Sequence, residues 1–411
     1  MKHLSTTVFA FLATSTAALS APAHAEAPAL EAWGKLARQC EEPKYDFYGY
    51  RGLTGMHMAM YFAGAELDPR YELGLDLPLP KATPDEAAAA AGRAYLAKIC
   101  DLDAAELMLA GSDAGDDLSA LAEAAATMAV EMVTKTVGEK VGYSPFAKAG
   151  VYVPTRTPSD VYTAHLAHFA YDPMLATKIA PPPALDSDEY AESFNETKRV
   201  GVFKDYERTE DETIATVIFD SQDPHPMIFR VLAKRDLSLF EQARILAIYD
   251  MTTDDVTLAQ FAGKLHFQSW RPVTAIRRAD LDGREDTEVN TKWEPALYTP
   301  NSSEYPCGHC TFVSASAAVL NVILPLAEGE EVVITGGDMT GDMDDRGVEE
   351  AIRPKVADFE MRYESWDAFA EAGGLSRIHN GAHFRYSLNA GMALGKAVAK
   401  ANLERWDGLS D

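Results

Sequence analysis

Apolar residues recur at helical spacing through the middle of the chain. In residues 226–255 they fall three or four positions apart, which places them on one face of a helix. We therefore predict one helix over residues 226–255, with this stripe in the core. The stripe consists of Leu237, Phe240, Ala243, Leu246 and Ala247.

Further helices are predicted on both sides of this segment. Residues 84–138 are rich in alanine, which has the highest helix propensity, and are interpreted as a helical scaffold. Residues 189–201, 209–219 and 384–399 are predicted as further helices. The sequence shows no internal repeat and no long strand-like alternation. We predict an all-α fold: a helical bundle with a site in its core and an N-terminal helical extension.

The first 25 residues have the pattern of a secretory signal peptide. Lys2 precedes a short apolar stretch, and small residues end it at Ala25, where we expect cleavage. The protein is therefore expected to be secreted or periplasmic. An N-terminal helical region, 26–150, and a bundle domain, 151–411, complete the predicted organisation. No later segment is long and uncharged enough to suggest a membrane span.

The chain is strongly acidic. It contains 63 Asp and Glu residues against 37 Lys and Arg residues, for a formal net charge of −26 at pH 7. Such a surface repels the phosphates of nucleic acids, so we expect no nucleic-acid partner. Association into a homo-oligomer is left open by the sequence. A local group of cations stands out against this balance.

Three short clusters between residues 264 and 383 gather cations and imidazoles that suit a tetrahedral oxyanion. Guanidinium groups donate bidentate hydrogen bonds and lysine supplies a point charge, while glycine lets a backbone amide approach an anion. Lys264 and Arg271 are seven residues apart, so we predict them on one face of a single helix that Pro272 ends. The second cluster holds Cys307, Gly308 and His309 at a predicted helix start, and the third holds Arg377 and His383.

The order and spacing of these clusters resemble the phosphate-binding pattern of the vanadium-dependent haloperoxidase and type 2 phosphatidic acid phosphatase superfamily. That pattern is Lys, six residues, Arg-Pro; then Pro-Ser-Gly-His; then Ser-Arg, five residues, His. It is matched by the segments 264–272, 306–309 and 376–383. The resemblance is to the bacterial haloperoxidase-like branch and covers roughly residues 150–400.

This resemblance implies a vanadate cofactor, whose site phosphate can also occupy. His383 would be the vanadium ligand, His309 would exchange protons, and hydrogen peroxide and a halide would be the substrates. The alternative is an acid phosphatase of the same superfamily, in which His383 attacks a phosphate ester and His309 protonates the leaving group. A second alternative is an inactive oxyanion-binding member. The oxyanion-binding residues implied are Lys264, Arg271, Cys307, Gly308, His309, Arg377 and His383.

Two positions depart from the superfamily pattern. Ser387 stands where the phosphatase pattern has an aspartate that would orient His383, and this favours the peroxidase over the phosphatase. Cys307 stands where serine is usual, and an exposed thiol beside peroxide would oxidise. A disulfide between Cys307 and Cys310 would remove that objection.

The four cysteines allow three pairings, of which we predict Cys40 with Cys100. Cys307-Gly-His-Cys310 also matches a thiol–disulfide exchange motif. No thioredoxin-like alternation of strands and helices surrounds it, so the oxyanion-loop interpretation is preferred.

Three other features have ordinary structural interpretations. His57 lies among methionines and is predicted to be a core residue. His165 and His168 have the spacing of a possible metal pair on a helix face, but no third ligand of matching spacing is apparent, so we expect no metal there. The acidic residues of segment 338–345 are interpreted as a solvated turn, since their spacing is not that of a calcium-binding loop.

Overall fold

The computed structural model describes residues 27–40, 50–71, 77–100, 116–137, 148–154, 166–221, 223–338 and 352–406. The predictions for the signal peptide, for His165 and for most of the acidic segment 338–345 lie outside these residues.

Four helices form the N-terminal part. They are α1 (Ala27–Gln39), α2 (Arg51–Leu67), α3 (Pro84–Cys100) and α4 (Asp116–Thr134). Helix α2 is buried along almost its whole length, because α3 and α4 pack against it together with the later helix α8. A disulfide joins Cys40, just after α1, to Cys100 at the end of α3, so that predicted bridge is confirmed.

The rest of the chain is a second group of helices with one small sheet. A short 3-10 helix at Pro173–Lys178 comes first. The elements that follow are α5 (Asp188–Val200), α6 (Glu210–Ser221), α7 (His225–Leu232), α8 (Leu239–Phe267), α9 (Pro272–Arg277), α10 (Gly308–Ile323), β1 (Val332–Thr335), α11 (Arg353–Asp358), β2 (Glu360–Tyr363), α12 (Trp366–His379) and α13 (Arg385–Trp406).

Helix α8 is shared by the two groups. It packs against α2 and α3 on one side and against α10 and α13 on the other. The predicted stripe is in the core, but residues on its other faces, such as Ile245 and Ile248, are buried as well. The prediction of one helix over residues 226–255 is wrong, because α7 ends at Leu232 and Ser238 starts α8 with a capping box to Glu241.

Two buried carboxylates on α8, Asp250 and Asp255, accept hydrogen bonds from neighbouring parts of the chain. Asp255 accepts hydrogen bonds from the backbone amides of residues 169–171 at 2.7 to 2.8 Å, and from Asn402 Nδ2 on α13 at 3.0 Å. His57 is fully buried, as predicted, and its Nδ1 lies 2.6 Å from Asp250 Oδ2. Helix α8 is thus hydrogen-bonded to residues 169–171, to α13 and to α2.

The predicted all-α class is confirmed. The sheet of the described residues consists of β1 and β2, paired antiparallel with Val332 opposite Tyr363. No helix in the described part is both long and apolar enough to cross a membrane.

We predict that Gly64→Ala destabilises the junction of α2 and α8. A β-carbon at Gly64 would lie 2.2 Å from Phe240 Cδ2, and that ring is packed against Tyr61 and Tyr71 and cannot move away. Urea unfolding should show a loss of about 1–3 kcal/mol. The control is exposed Gly337→Ala, whose new methyl meets nothing closer than 3.5 Å and should change stability by less than about 0.5 kcal/mol. Equal effects of the two substitutions would contradict this packing.

Candidate active site

The first cluster comes from two elements rather than one. Lys264 lies in the last turn of α8, which ends at Phe267 with Gln268 in the left-handed region at φ 48°. Arg271 follows in extended backbone as the N-cap of α9, and Pro272 begins that helix. The prediction of a single helix is therefore wrong, because proline suits the first position of a helix as well as the end of one.

Both cations are buried and fastened to one loop. Lys264 and Arg271 are each 2% exposed. Lys264 Nζ donates to the carbonyls of Ser303 and Glu304 at 2.8 and 3.0 Å. Arg271 Nε donates to the carbonyl of Ser302 at 2.8 Å. The loop that precedes the second cluster is thereby held against the end of α8.

The second cluster begins α10, as predicted. Cys307 is the N-cap, and its Sγ accepts from the amide of Cys310 at 3.2 Å. Gly308 lies close to α8, since a β-carbon there would lie 1.7 Å from Gln260 Oε1 and would displace the end of that side chain. Cys307 and Cys310 form a disulfide and both are fully buried. The amides of Gly308 and His309 lie in the first turn, where N–H groups lack partners within the helix.

The third cluster is held by α12 and the turn after it. Arg377 is fully buried near the end of α12, and its Nη1 pairs with Asp220 on α6. Gly381 has φ +77° and reverses the chain, so that the His383 amide donates to the Arg377 carbonyl at 3.1 Å. Among the described residues, no group accepts a hydrogen bond from Nε or Nη2 of Arg377.

His383 is the point at which the clusters meet. Its Nε2 lies 2.9 Å from Arg271 Nη1, and its Nδ1 lies 3.0 Å from Glu304 Oε1. Because Arg271 donates to Nε2, the ring proton lies on Nδ1 and is donated to Glu304. Burial, together with the charges of Arg271, Lys264 and Arg377, lowers the pKa of His383 well below its usual value. His383 is therefore neutral, with a lone pair on Nε2.

Sequence reasoning missed two carboxylates. Glu304 is fully buried, accepts from His383 and from the amide of Phe384 at 3.1 Å, and burial raises its pKa to about 7. It supplies the carboxylate expected at position 387, and Ser387 Oγ instead lies 3.4 Å from the Glu304 carbonyl. The position of Glu304, two residues before Pro306 of the second cluster, could have suggested a role in the site. Nothing in the sequence pointed to Asp220, which lies on α6 and is far from Arg377 along the chain.

His309 lies at the edge of the site. Its side chain is half-buried, and Nε2 lies 3.4 Å from the carbonyl of Asp220, whose carboxylate pairs with Arg377. The second imidazole is thus linked to the same arginine that faces the site. All five predicted side chains converge: Lys264, Arg271, His309, Arg377 and His383.

The charge balance of the site suits an anion. Three basic side chains stand against the carboxylates of Glu304 and Asp220, and burial, followed by the charge of Arg271, lowers the pKa of Lys264. A bound oxyanion would offset this buried positive charge and accept from the two unpartnered nitrogens of Arg377. Within the described residues, no group of three or more His, Cys, Asp or Glu side chains could hold a metal cation.

Comparison with known proteins agrees with this geometry. Residues 244–410 match a family model described as the VCPO second helical-bundle domain. No curated protein sequence matches the chain significantly.

Solved structures show the same fold. An apo-type bacterial vanadium-dependent chloroperoxidase is 14% identical with a TM-score of 0.68, over 92% of this chain and 98% of that one. The first bacterial vanadium-dependent iodoperoxidase is 16% identical with a TM-score of 0.66, over 92% and 95%. A holo-type chloroperoxidase is 15% identical with a TM-score of 0.64, over 95% and 100%. The predicted resemblance to the vanadium haloperoxidase superfamily is confirmed.

We predict that Glu304→Gln weakens vanadate binding by about 10–100-fold, because the carboxylate fixes the tautomer and ring position of His383, the expected vanadium ligand. Calorimetric titration with orthovanadate measures the effect. Glu196→Gln is the control, since it removes a carboxylate that pairs with Arg385 rather than with His383. Unchanged affinity in Glu304→Gln, or an equal loss in both variants, would contradict this role.

Proposed function

Starting from the fold of the vanadium haloperoxidase superfamily, we propose that this protein is a vanadate-dependent haloperoxidase that oxidises halide ions with hydrogen peroxide. One observation carries the proposal. Three buried basic side chains surround the neutral His383, whose Nε2 lone pair lies on the opposite side of the ring from Glu304.

The residues present fit vanadate. His383 would be the ligand to vanadium through Nε2, since Nδ1 is committed to Glu304. Bound vanadate would supply a Lewis-acidic centre that activates hydrogen peroxide toward a halide. Oxyanion charge would be neutralised by Lys264, Arg271, Arg377 and the amide of Gly308.

Glu304 and Arg271 prepare His383 for this task. Glu304 holds the proton on Nδ1, so that the lone pair is always on the ring nitrogen next to Arg271. Arg271 donates to that lone pair, and it would turn this donor to an oxyanion bound at Nε2. The site is thus kept in its binding-competent tautomer.

His309 is the proton-transfer residue in this proposal. It is half-buried and therefore able to exchange protons with solvent, while its contact with the Asp220 carbonyl keeps it beside Arg377. An imidazole changes charge near neutral pH, as a group that accepts and returns a proton in each turnover must.

The disulfide at the start of α10 makes the site compatible with peroxide. The paired sulfur of Cys307 has no thiol to be oxidised, and it keeps the capping position by accepting from the Cys310 amide. The objection raised by Cys307 in the sequence no longer applies.

The alternative activity is that of an acid phosphatase, and one observation favours it. Glu304 provides the carboxylate behind His383 that the sequence lacks at position 387, and a carboxylate there would also activate His383 as a nucleophile. His309 would then protonate the leaving alcohol. Phosphate and vanadate share shape and charge, so both activities use the same side chains.

We also propose that the protein acts outside the cytoplasm. The signal-peptide pattern of residues 1–25 and the two disulfides support an oxidising compartment.

The deciding experiment is an assay of the purified mature protein with and without orthovanadate. Bromination of monochlorodimedone that requires both vanadate and peroxide would support the haloperoxidase. Hydrolysis of nitrophenyl phosphate that vanadate inhibits would support the phosphatase. Tight vanadate binding with neither activity would identify an inactive oxyanion-binding member.

We predict that His309→Ala lowers turnover by about 10²–10⁴-fold, because it removes the proton-transfer group. Anion affinity should stay within about threefold, since the basic side chains remain. Steady-state kinetics and vanadate titration measure the two effects. His379→Ala is the control, since this imidazole faces Glu212 at 4.0 Å instead. Full activity in His309→Ala would remove His309 from the mechanism.

We predict that Cys310→Ser makes the enzyme sensitive to its own oxidant. This change leaves a free thiol at Cys307, which hydrogen peroxide would convert to a sulfenic acid and beyond. Activity should decay during incubation with peroxide, with an added oxygen found on Cys307 by mass spectrometry. The double variant Cys307→Ser, Cys310→Ser is the control and should resist peroxide, and an equal decay in both would contradict the prediction.

A further inference from the structure

A second cavity lies in the N-terminal part of the molecule, between α1, α2 and α7. It is a partly open pocket of about 310 Å³, a volume that includes the solvent space at its mouth. Its apolar wall includes Leu53, Pro226 and Phe229. Its polar wall includes Arg38, His57, Asp223 and His225, none of which takes part in the candidate active site.

The polar wall is a chain of alternating acids and bases. His57 Nδ1 lies 2.6 Å from Asp250 Oδ2, and Asp250 Oδ1 lies 2.8 Å from His225 Nε2. His225 Nδ1 lies 3.0 Å from Asp223 Oδ1, and Arg38 pairs with Asp223. The two histidines and Asp250 are almost completely buried.

The contacts fix where the protons lie. His225 has a carboxylate at each ring nitrogen, so it donates from both and is a cation; these carboxylates outweigh burial and raise its pKa. His57 has one carboxylate, at Nδ1, and burial lowers its pKa, so it is neutral. Two cations, Arg38 and His225, then balance Asp223 and Asp250. Glu31 and Lys35, which also line the cavity, pair with each other, so the wall carries no net charge.

Two buried polar atoms of this wall have no hydrogen-bond partner among the described residues, the donor Arg38 Nε and the acceptor His57 Nε2. Since Nδ1 of His57 faces Asp250, the lone pair of Nε2 points away from that carboxylate, and no described residue donates to it. The imidazole is fully buried and lines the cavity. A buried acceptor without a donor costs free energy, which a bound hydroxyl would recover.

We propose that this cavity is a second binding site, for a small uncharged phenol whose hydroxyl donates to His57 Nε2. The apolar wall would contact the ring, as in small-molecule sites that combine apolar surface with few polar groups. A carboxylate ligand could accept from Arg38 Nε, but it is disfavoured because it has no proton for His57 Nε2. A metal ion is disfavoured because the described residues contain no set of three suitable ligands.

The site is separate from the candidate active site. Asp250 and Lys264 both lie on α8, fourteen positions apart, which corresponds to about 21 Å along the helix. Ligand binding in the cavity therefore tests a property that does not depend on the proposed catalytic function.

The first test compares three ligands by calorimetric titration of the mature protein. Phenol should bind saturably at millimolar concentration or below. Anisole has the same ring without the hydroxyl proton and should bind at least tenfold more weakly, because the acceptor would stay unpaired. Benzoate should also bind at least tenfold more weakly. Absence of saturable phenol binding, or equal binding of anisole, would overturn the proposal.

The second test fills the cavity without touching the polar chain. Gly34 lines the cavity on α1, and a β-carbon there meets only Leu53 Cδ1, at 3.3 Å. Gly34→Leu should raise the dissociation constant of phenol at least tenfold, whereas Gly34→Ala should change it less than threefold. The far-UV circular dichroism spectrum and the thermal unfolding midpoint serve as the folding control and should be unchanged in both. Unaltered phenol affinity in a folded Gly34→Leu variant would also overturn the proposal.

Discussion

The excess of positive charge buried around His383 is the constraint on which the site depends. Lys264, Arg271 and Arg377 are almost inaccessible to water, and two carboxylates offset only part of their charge. Buried charges of one sign are costly, so such an arrangement persists when it has a partner of the opposite sign to bind. The chain as a whole has a formal net charge of −26, so this cluster of buried cations differs in sign from the rest of the protein.

Rigid packing holds these cations in place. Gly308 brings the start of α10 against Gln260 of α8, and Gly391 brings α13 against the carbonyl of Cys307. The loop before α10 is fixed through its carbonyls, which Lys264 and Arg271 use as hydrogen-bond acceptors. The same contacts that position the basic groups therefore also position the helix start that would face an anion.

Sequence reasoning predicted the all-α class and identified the five converging side chains, because motif spacing and helical periodicity are local properties. The break between α8 and α9 was not predicted, because a proline can stand either at the start or just after the end of a helix. In the structure, Gln268 in the left-handed region ends α8, and Pro272 therefore begins a new helix. Glu304 was missed because the phosphatase pattern places the carboxylate four residues after His383, whereas the fold brings it from the loop before α10. Asp220 lies 157 positions from its partner Arg377, and nothing local links the two.

The sharing of α8 has a consequence for the independence of the two helical groups. The region that matches the family model starts at residue 244, inside α8 and after the Ser238 cap. A shortened chain beginning there would lose the first turn of its longest helix and would leave the α2-facing side of that helix open to water. The N-terminal helices thus complete the packing of the helix that carries Lys264, so the oxyanion site depends on them although none of its side chains comes from them.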